Sequence, residues 1–249
     1  MELSKNNETL EIRVKPRATD EEEEEVLLRE LTIDELGILE SLPISRLNQL
    51  IIKTGVRRLY YTKGVDDLSQ VFSRCSSSLK SLRIEDMDVL RILSGRKGFQ
   101  NFTALESLNI AVPASPFMFY EDEDDGIFWK SLSQSLRILN FESGSRMKDG
   151  LPKGIRYLTS LQTLQLECGY GVKAIPEWID CLSSLQYLSI HNCPELKSLP
   201  EEMKKLDSLK SLEINFCPEL EERCRKPDGA DWPKIRHIPN IQINNTKIQ

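Results

Sequence analysis

Between Ser160 and Leu220 the chain repeats nearly the same phrase three times at a spacing of 24 residues: SLQTLQLEC from Ser160, SLQYLSIHNCPELKSLPEEM from Ser184 and SLKSLEINFCPEL from Ser208. Each phrase carries an apolar triplet at the same offsets, Leu161/Leu164/Leu166, Leu185/Leu188/Ile190 and Leu209/Leu212/Ile214. A unit this short cannot bury its own apolar side. It must stack on copies of itself, giving a curved solenoid with one shared core.

The triplet follows L-x-x-L-x-L, the leucine-rich repeat pattern, and its period lies inside the window of roughly 20 to 29 residues. Further triplets are read at Leu28/Leu31/Ile33, Val56/Leu59/Tyr61, Leu79/Leu82/Ile84, Leu105/Leu108/Ile110 and Leu136/Leu139/Phe141. That makes about eight repeats over 28–220, with an insertion near 113–131. An irregular N-terminal part with an acidic loop, 1–27, precedes them. A cap, 221–249, closes the stack with a last triplet at Ile238/Ile241/Ile243. Length alone would allow one or two domains, but a solenoid of this period takes 1–249 as a single domain.

The regular repeats also share an apolar-Pro pair on the return path: Leu151-Pro152, Ile175-Pro176 and Leu199-Pro200. Proline fixes its own φ and keeps the preceding residue out of the helical region, so each pair turns the chain away from the strand side. Ile155, Ile179 and Met203, three residues further on, are expected to point inward. The expected fold is α/β: a leucine-rich repeat horseshoe with a parallel concave sheet and an irregular or short-helical convex side.

Side chains in a strand alternate between two faces, so the residues flanking the buried triplet positions align on the concave surface when the strands stack. Within that ladder the residues singled out for protein binding are Arg58, Tyr60, Arg83, Glu85, Asn109, Asn140, Gln165, Tyr187, His191 and Glu213. Aromatic residues and arginine are enriched at protein interfaces, which marks Arg58, Tyr60, Arg83 and Tyr187 in particular. Arg58 and Arg83 are both expected on the exposed ladder, so that reversing both charges weakens binding with little effect on thermal unfolding.

Other classes of function find little support. A net charge of -6 argues against a general nucleic-acid binder, and no apolar run approaches the roughly 18 residues that span a bilayer. The N-terminus lacks the apolar segment of a secretory signal. Six cysteines without a dense regular spacing read as reduced thiols of the cytosol or nucleus. With two histidines, His191 and His237, and no spacing that pairs either with a nucleophile, no catalytic residues are assigned. No metal site is assigned either, for want of a C-x-x-C pair or an EF-hand loop. No GxxxxGK followed by Ser or Thr occurs, so no nucleotide cofactor is expected on this chain. Cys193-Pro194 and Cys217-Pro218 recur at one repeat position, where a small side chain is buried against the turn.

Two segments stand apart from the repeats. Asp20 to Glu25 is an unbroken acidic run, either a solvated loop or an interaction tail. Ser115 to Trp129, SPFMFYEDEDDGIFW, is one third aromatic and one third acidic, and reads either as a functional loop or as cover for a core edge.

The return segments LPKGIRYLTSLQTL and LPEEMKKLDSLKSL, together with the ending LEINFCPELEERCRKPDGADWPKIRHIPNIQI, resemble the repeat region of plant intracellular nucleotide-binding immune receptors of the coiled-coil class. The matching marks are Cys217-Pro218, Arg223-Cys224, Asp231-Trp232 and His237-Ile238-Pro239, and the resemblance runs from about Leu136 to Ile243. It implies a role in sensing pathogen effectors, directly or through a guarded host protein, and in restraining the receptor until then. ADP or ATP would belong to an upstream nucleotide-binding domain that this chain does not contain, so the chain is expected to be a fragment of a longer receptor or a truncated relative. The implied partners are proteins: an effector, a guarded host protein or the receptor's own nucleotide-binding domain. Nucleic acid and a membrane span are not implied. Extracellular plant repeat receptors carry a Gly-x-Ile-Pro phrase, which is missing here. The alternative is a substrate adaptor for a ubiquitin ligase or an interaction scaffold outside immunity.

Overall fold

The computed structural model describes residues 11–13, 30–33, 45, 48–52, 72–85, 102–111, 116–117, 129–142, 146–147, 150–167, 169 and 172–249. Each L-x-L segment of the sequence forms a short strand in which alternate residues are buried. These are β4 (Ser81–Ile84), β5 (Ser107–Ile110), β7 (Ile138–Phe141), β9 (Thr163–Glu167), β10 (Tyr187–His191) and β11 (Ser211–Asn215). With β2 (Glu30–Ile33), β3 (Gln49–Ile52) and β12 (Asn240–Ile243) they make one parallel run, β2-β3-β4-β5-β7-β9-β10-β11-β12. The register is in step throughout: Leu50, Leu82, Leu108, Leu139, Leu164, Leu188, Leu212 and Ile241 form one column. All eight are at most 1% exposed. The leucine-rich repeat solenoid expected from the period is therefore the fold.

The convex side is built from short 3-10 turns. Lys153–Tyr157, Glu177–Cys181 and Glu201–Lys205 each begin directly after the proline of an apolar-Pro pair. Ile155, Ile179 and Met203 are fully buried, as the spacing requires. In these regular repeats Leu158, Leu182 and Leu206 fill the space under the turn, and each carbonyl accepts from the amide of the leucine three residues on. The earlier repeats fill the same layer with aromatics. Phe72 and Phe102 meet at a centroid distance of 5.8 Å, and Trp129 is fully buried. Larger side chains take up the longer, less regular return segments there.

The sheet departs from expectation at its second repeat. The strand between β2 and β4 is Gln49–Ile52, which pairs with both neighbours, and the triplet read at Val56/Leu59/Tyr61 lies outside the described residues. Leu47-x-x-Leu50-x-Ile52 satisfies the same pattern but follows the preceding triplet by fewer residues than the repeat window allows, which hid it. Gln49 and Ile51 therefore hold the ladder positions that the sequence assigned to Arg58 and Tyr60, and those two residues lie outside the described residues. At the N-terminal end of the sheet β1 (Glu11–Arg13) pairs antiparallel with β2. In the insertion, β6 (Pro116–Phe117) pairs in parallel with β8 (Arg146–Met147), and Trp129 belongs to the core. The acidic run at 20–25 and residues 118–128 lie outside the described residues.

The C-terminal cap is held by one buried carboxylate. Asp231, fully buried, accepts from the Leu199 amide at 2.9 Å, from Arg223 Nε and Nη2 at 3.1 and 2.9 Å, and pairs with Lys234 at 3.0 Å. Burial by itself would raise this carboxyl, but the bonds from Arg223, Leu199 and Lys234 bring it below the ordinary range. These contacts tie α1 (Pro218–Arg223) and α2 (Trp232–Ile235) back onto the Leu199-Pro200 turn. At Gly229 a Cβ would collide with the carbonyl oxygens of Arg223 and Arg225, so the glycine permits that close passage. The last strand then reverses at Asn244-Asn245, both at positive φ (47° and 60°), and β13 (Thr246–Lys247) pairs antiparallel with β12. Two adjacent positive-φ residues are what a tight hairpin turn demands, and asparagine tolerates them best after glycine.

Candidate functional site

Residues that alternate with the buried column emerge on the concave face. In register across the sheet, the central row runs Arg83, Asn109, Asn140, Gln165, Ser189 and Glu213. A second row, two residues on, holds Glu85, Glu142, Glu167, His191 and Asn215, and a third, two residues back, includes Ile138 and Tyr187. Every described member of the sequence-derived set, Arg83, Glu85, Asn109, Asn140, Gln165, Tyr187, His191 and Glu213, lies in one of these rows.

Over β4, β5 and β7 the face is self-paired. Arg83 grips Glu142 through both terminal nitrogens, at 2.7 and 2.6 Å, and reaches Glu85 through Nε at 2.7 Å. The amide of Asn109 donates to the same Glu142 oxygen. This is the forked geometry in which guanidinium and carboxylate bind most strongly. Hydrogen bonding to Glu142 first, and to Glu85 after it, keeps the Arg83 guanidinium above its ordinary range, and the bond from Arg83 holds Glu142 below its own. Arg83 thus stands on the ladder with its guanidinium already engaged by two carboxylates. Beside the network, the side-chain oxygens of Asn109 and Asn140 are buried with no hydrogen-bond partner.

Over β9, β10 and β11 the face opens into a hollow of about 310 Å³, reaching from Asn140 and Glu142 to Glu213 and Asn215. Tyr187 donates its hydroxyl proton to Glu213 at 2.6 Å; burial first, and the carboxylate after it, push the phenol up to about 12. Asn215, 7% exposed, accepts the Asn245 amide at 3.0 Å, which fastens the cap to the edge of the hollow. His191 packs edge-on against Phe216 at a centroid distance of 5.0 Å. Phe216 is 59% exposed and sits at φ 56°, at the repeat position where the preceding coil has Asn192 at φ 51°. A left-handed backbone costs an ordinary L-residue about 1 to 2 kcal/mol, so the fold bears strain to present an aromatic ring at this rim.

Glu142, Glu167 and Asn215 stand in the ladder by the same alternation that placed the others, but sequence gave no reason to prefer them. Phe216 was missed altogether. Its one signal was an asparagine at the equivalent place in the neighbouring repeat, a residue type that marks left-handed turns.

The buried sulfurs serve the turns. Cys193 and Cys217 are fully buried, each donating to backbone carbonyls, and the Cys193 amide donates to Cys217 Sγ at 3.3 Å. The hydrogen bond with Cys193, with burial behind it, holds the Cys217 thiol well above its ordinary range. Burial pushes Cys75 up to about 11 and Cys224 up to about 12. Thiols shifted this way are poor nucleophiles. Among the described residues no group of three or more His, Cys, Asp or Glu is placed to hold a metal ion, and no helix is long and apolar enough to cross a membrane.

Residues 129–217 match the family model described as R13L1/DRL21 LRRs, and over that span the match bears out the resemblance to plant receptor repeats. Among solved structures, a crystal structure of a TLR13–ssRNA13 complex is similar at a TM-score of 0.54 and 16% identity, over 76% of this chain. The chain spans 26% of that longer protein. At such identity the likeness is one of fold, the leucine-rich repeat solenoid. The search of curated proteins finds no match. Family model and fold together support a leucine-rich repeat interaction module.

Proposed function

We propose that this chain is the protein-recognition and autoregulatory repeat module of a plant intracellular immune receptor. In this reading it works in the cytosol or nucleus, binds a pathogen effector or a guarded host protein across the concave face, and otherwise restrains a nucleotide-binding switch elsewhere in the receptor. The observation that carries the reading is the coincidence of two regions. The part of the face that opens into a hollow, β7 to β11, falls almost wholly within residues 129–217, the span that matches the R13L1/DRL21 repeats. A shallow, polar, continuous surface with an exposed aromatic at its rim is suited to grip a protein, where a handful of central residues carry most of the energy.

The test is affinity purification from challenged plant tissue with the full-length gene product, comparing wild type with Ser189→Arg. Position 189 lies at the centre of the hollow, and the new side chain projects from the sheet without entering the core. A protein captured by wild type and lost with Ser189→Arg is the expected result. Capture that is indifferent to the substitution would remove the concave face from recognition.

A further inference from the structure

We propose that the hollow between β7 and β11 receives an arginine side chain presented by the partner protein; the inference rests on the recognition reading above and names the chemistry of its contact. The fixed charges on the walls of the hollow are of one sign. Three carboxylates line it, Glu142, Glu167 and Glu213, with no lysine or arginine among the lining residues. Arg83 neutralises Glu142 from outside. Among the described residues neither Glu167 nor Glu213 has a cation within ion-pair distance, and Glu213 receives a proton from Tyr187. Asn140 adds a buried side-chain oxygen with no donor. An acceptor without a partner in a desolvated place costs free energy until a donor arrives.

Glu167 and Glu213 stand on β9 and β11, on either side of β10. Strands two apart are roughly 10 Å from each other, a span that one planar guanidinium between two glutamate side chains bridges. Guanidinium brings five donors in a fixed fork, and it stacks on aromatic faces better than a compact, strongly hydrated ammonium. Tyr187 lies in the hollow, and the His191–Phe216 pair stands at its edge. A volume of about 310 Å³ is at the low end for ligand pockets, so it fits one inserted side chain. A bare metal ion is a poorer occupant, since no three ligating groups converge among the described residues.

The experiment is a fluorescence-anisotropy titration of the full chain with a labelled peptide, Gly-Ser-Arg-Ser-Arg-Ser-Gly, and its lysine and citrulline counterparts. Binding of the arginine peptide about tenfold or more tighter than either counterpart supports the proposal. The paired substitution Glu167→Gln/Glu213→Gln is expected to weaken that binding about tenfold. Glu219→Gln/Glu222→Gln removes the same charge from α1, away from the hollow, and is expected to leave it unchanged. Equal losses in the two pairs, no preference over lysine or citrulline, or no binding at all would each overturn the proposal. Its failure is distinguishable from that of the recognition reading. A partner captured from tissue that is lost with Ser189→Arg but kept with Glu167→Gln/Glu213→Gln leaves the concave face in place and removes the arginine.

Discussion

The part of the concave face carried by β4, β5 and β7 satisfies its own charges, whereas the part carried by β9, β10 and β11 leaves them open. The two lie on one sheet, over one unbroken column of buried leucines, with the same alternation of inward and outward residues. What separates them is the presence of a single arginine. Arg83 reaches across two strands and converts Glu85 and Glu142 into a closed network, while Glu167 and Glu213 face a hollow with no cation. The repeat therefore determines where polar side chains stand, and one substitution at a ladder position determines whether a stretch of the face is finished or awaits a partner.

The most severe way to break the comparison is to remove the floor both parts share. Leu188→Ala truncates a fully buried side chain in the middle of the column and is expected to cost about 2 to 5 kcal/mol in denaturant unfolding. A much smaller loss would mean that the leucine column does not carry the stack.

Next in size is Glu142→Gln, which leaves Arg83 with Glu85 as its remaining carboxylate and is expected to cost about 1 to 2 kcal/mol at neutral pH, the pair being only half buried. Its pH dependence has a definite sign. Glu142 is held below its ordinary value of 4.5, so its contribution is present in full above that value and is lost as pH falls through the lower, folded one. Wild type and variant should therefore converge in stability in acid. The matching change in the open part, Glu167→Gln, should leave stability nearly unaltered. If the two substitutions behave alike, the contrast between the regions is unfounded.

Phe216→Asn tests the rim in the opposite direction. Asparagine suits the left-handed backbone better, so a gain of about 1 kcal/mol in unfolding free energy is expected, together with weaker capture of the partner. A variant that is both less stable and fully able to bind would remove Phe216 from the site. The smallest effect belongs to Tyr187→Phe, at about 0.5 to 1 kcal/mol for the lost hydrogen bond to Glu213. Since the folded phenol is raised from 10 to about 12, its contribution is present below pH 10 and disappears as pH climbs through 12. In an ultraviolet absorbance titration the variant should lack the tyrosine transition near pH 12.

Much of this architecture was legible because the repeat writes it three times over. Leu164, Leu188 and Leu212 occupy one place in three nearly identical phrases, and their burial follows from that alone. Where the phrases loosen, the reading fails for stated reasons. The strand that follows β2 lies on Leu50, in a triplet too close to the preceding one for the repeat period to point to it. The Arg83–Glu142 pair joins residues 59 apart in sequence, visible only once the strands are in register. Asp231 read as a mark of resemblance and proved to be the buried anchor of the cap. The hollow itself has no sequence signature, because it arises from the curvature of neighbouring coils.

Nothing in a pile of like coils says where the pile should stop, and an open end offers every passing molecule a row of unused backbone groups. The reversal at Asn244 and Asn245 ends the invitation. It lays β13 against β12 with the opposite polarity and only two residues long, so a second copy arriving at that end meets a short edge that runs the wrong way for another parallel coil.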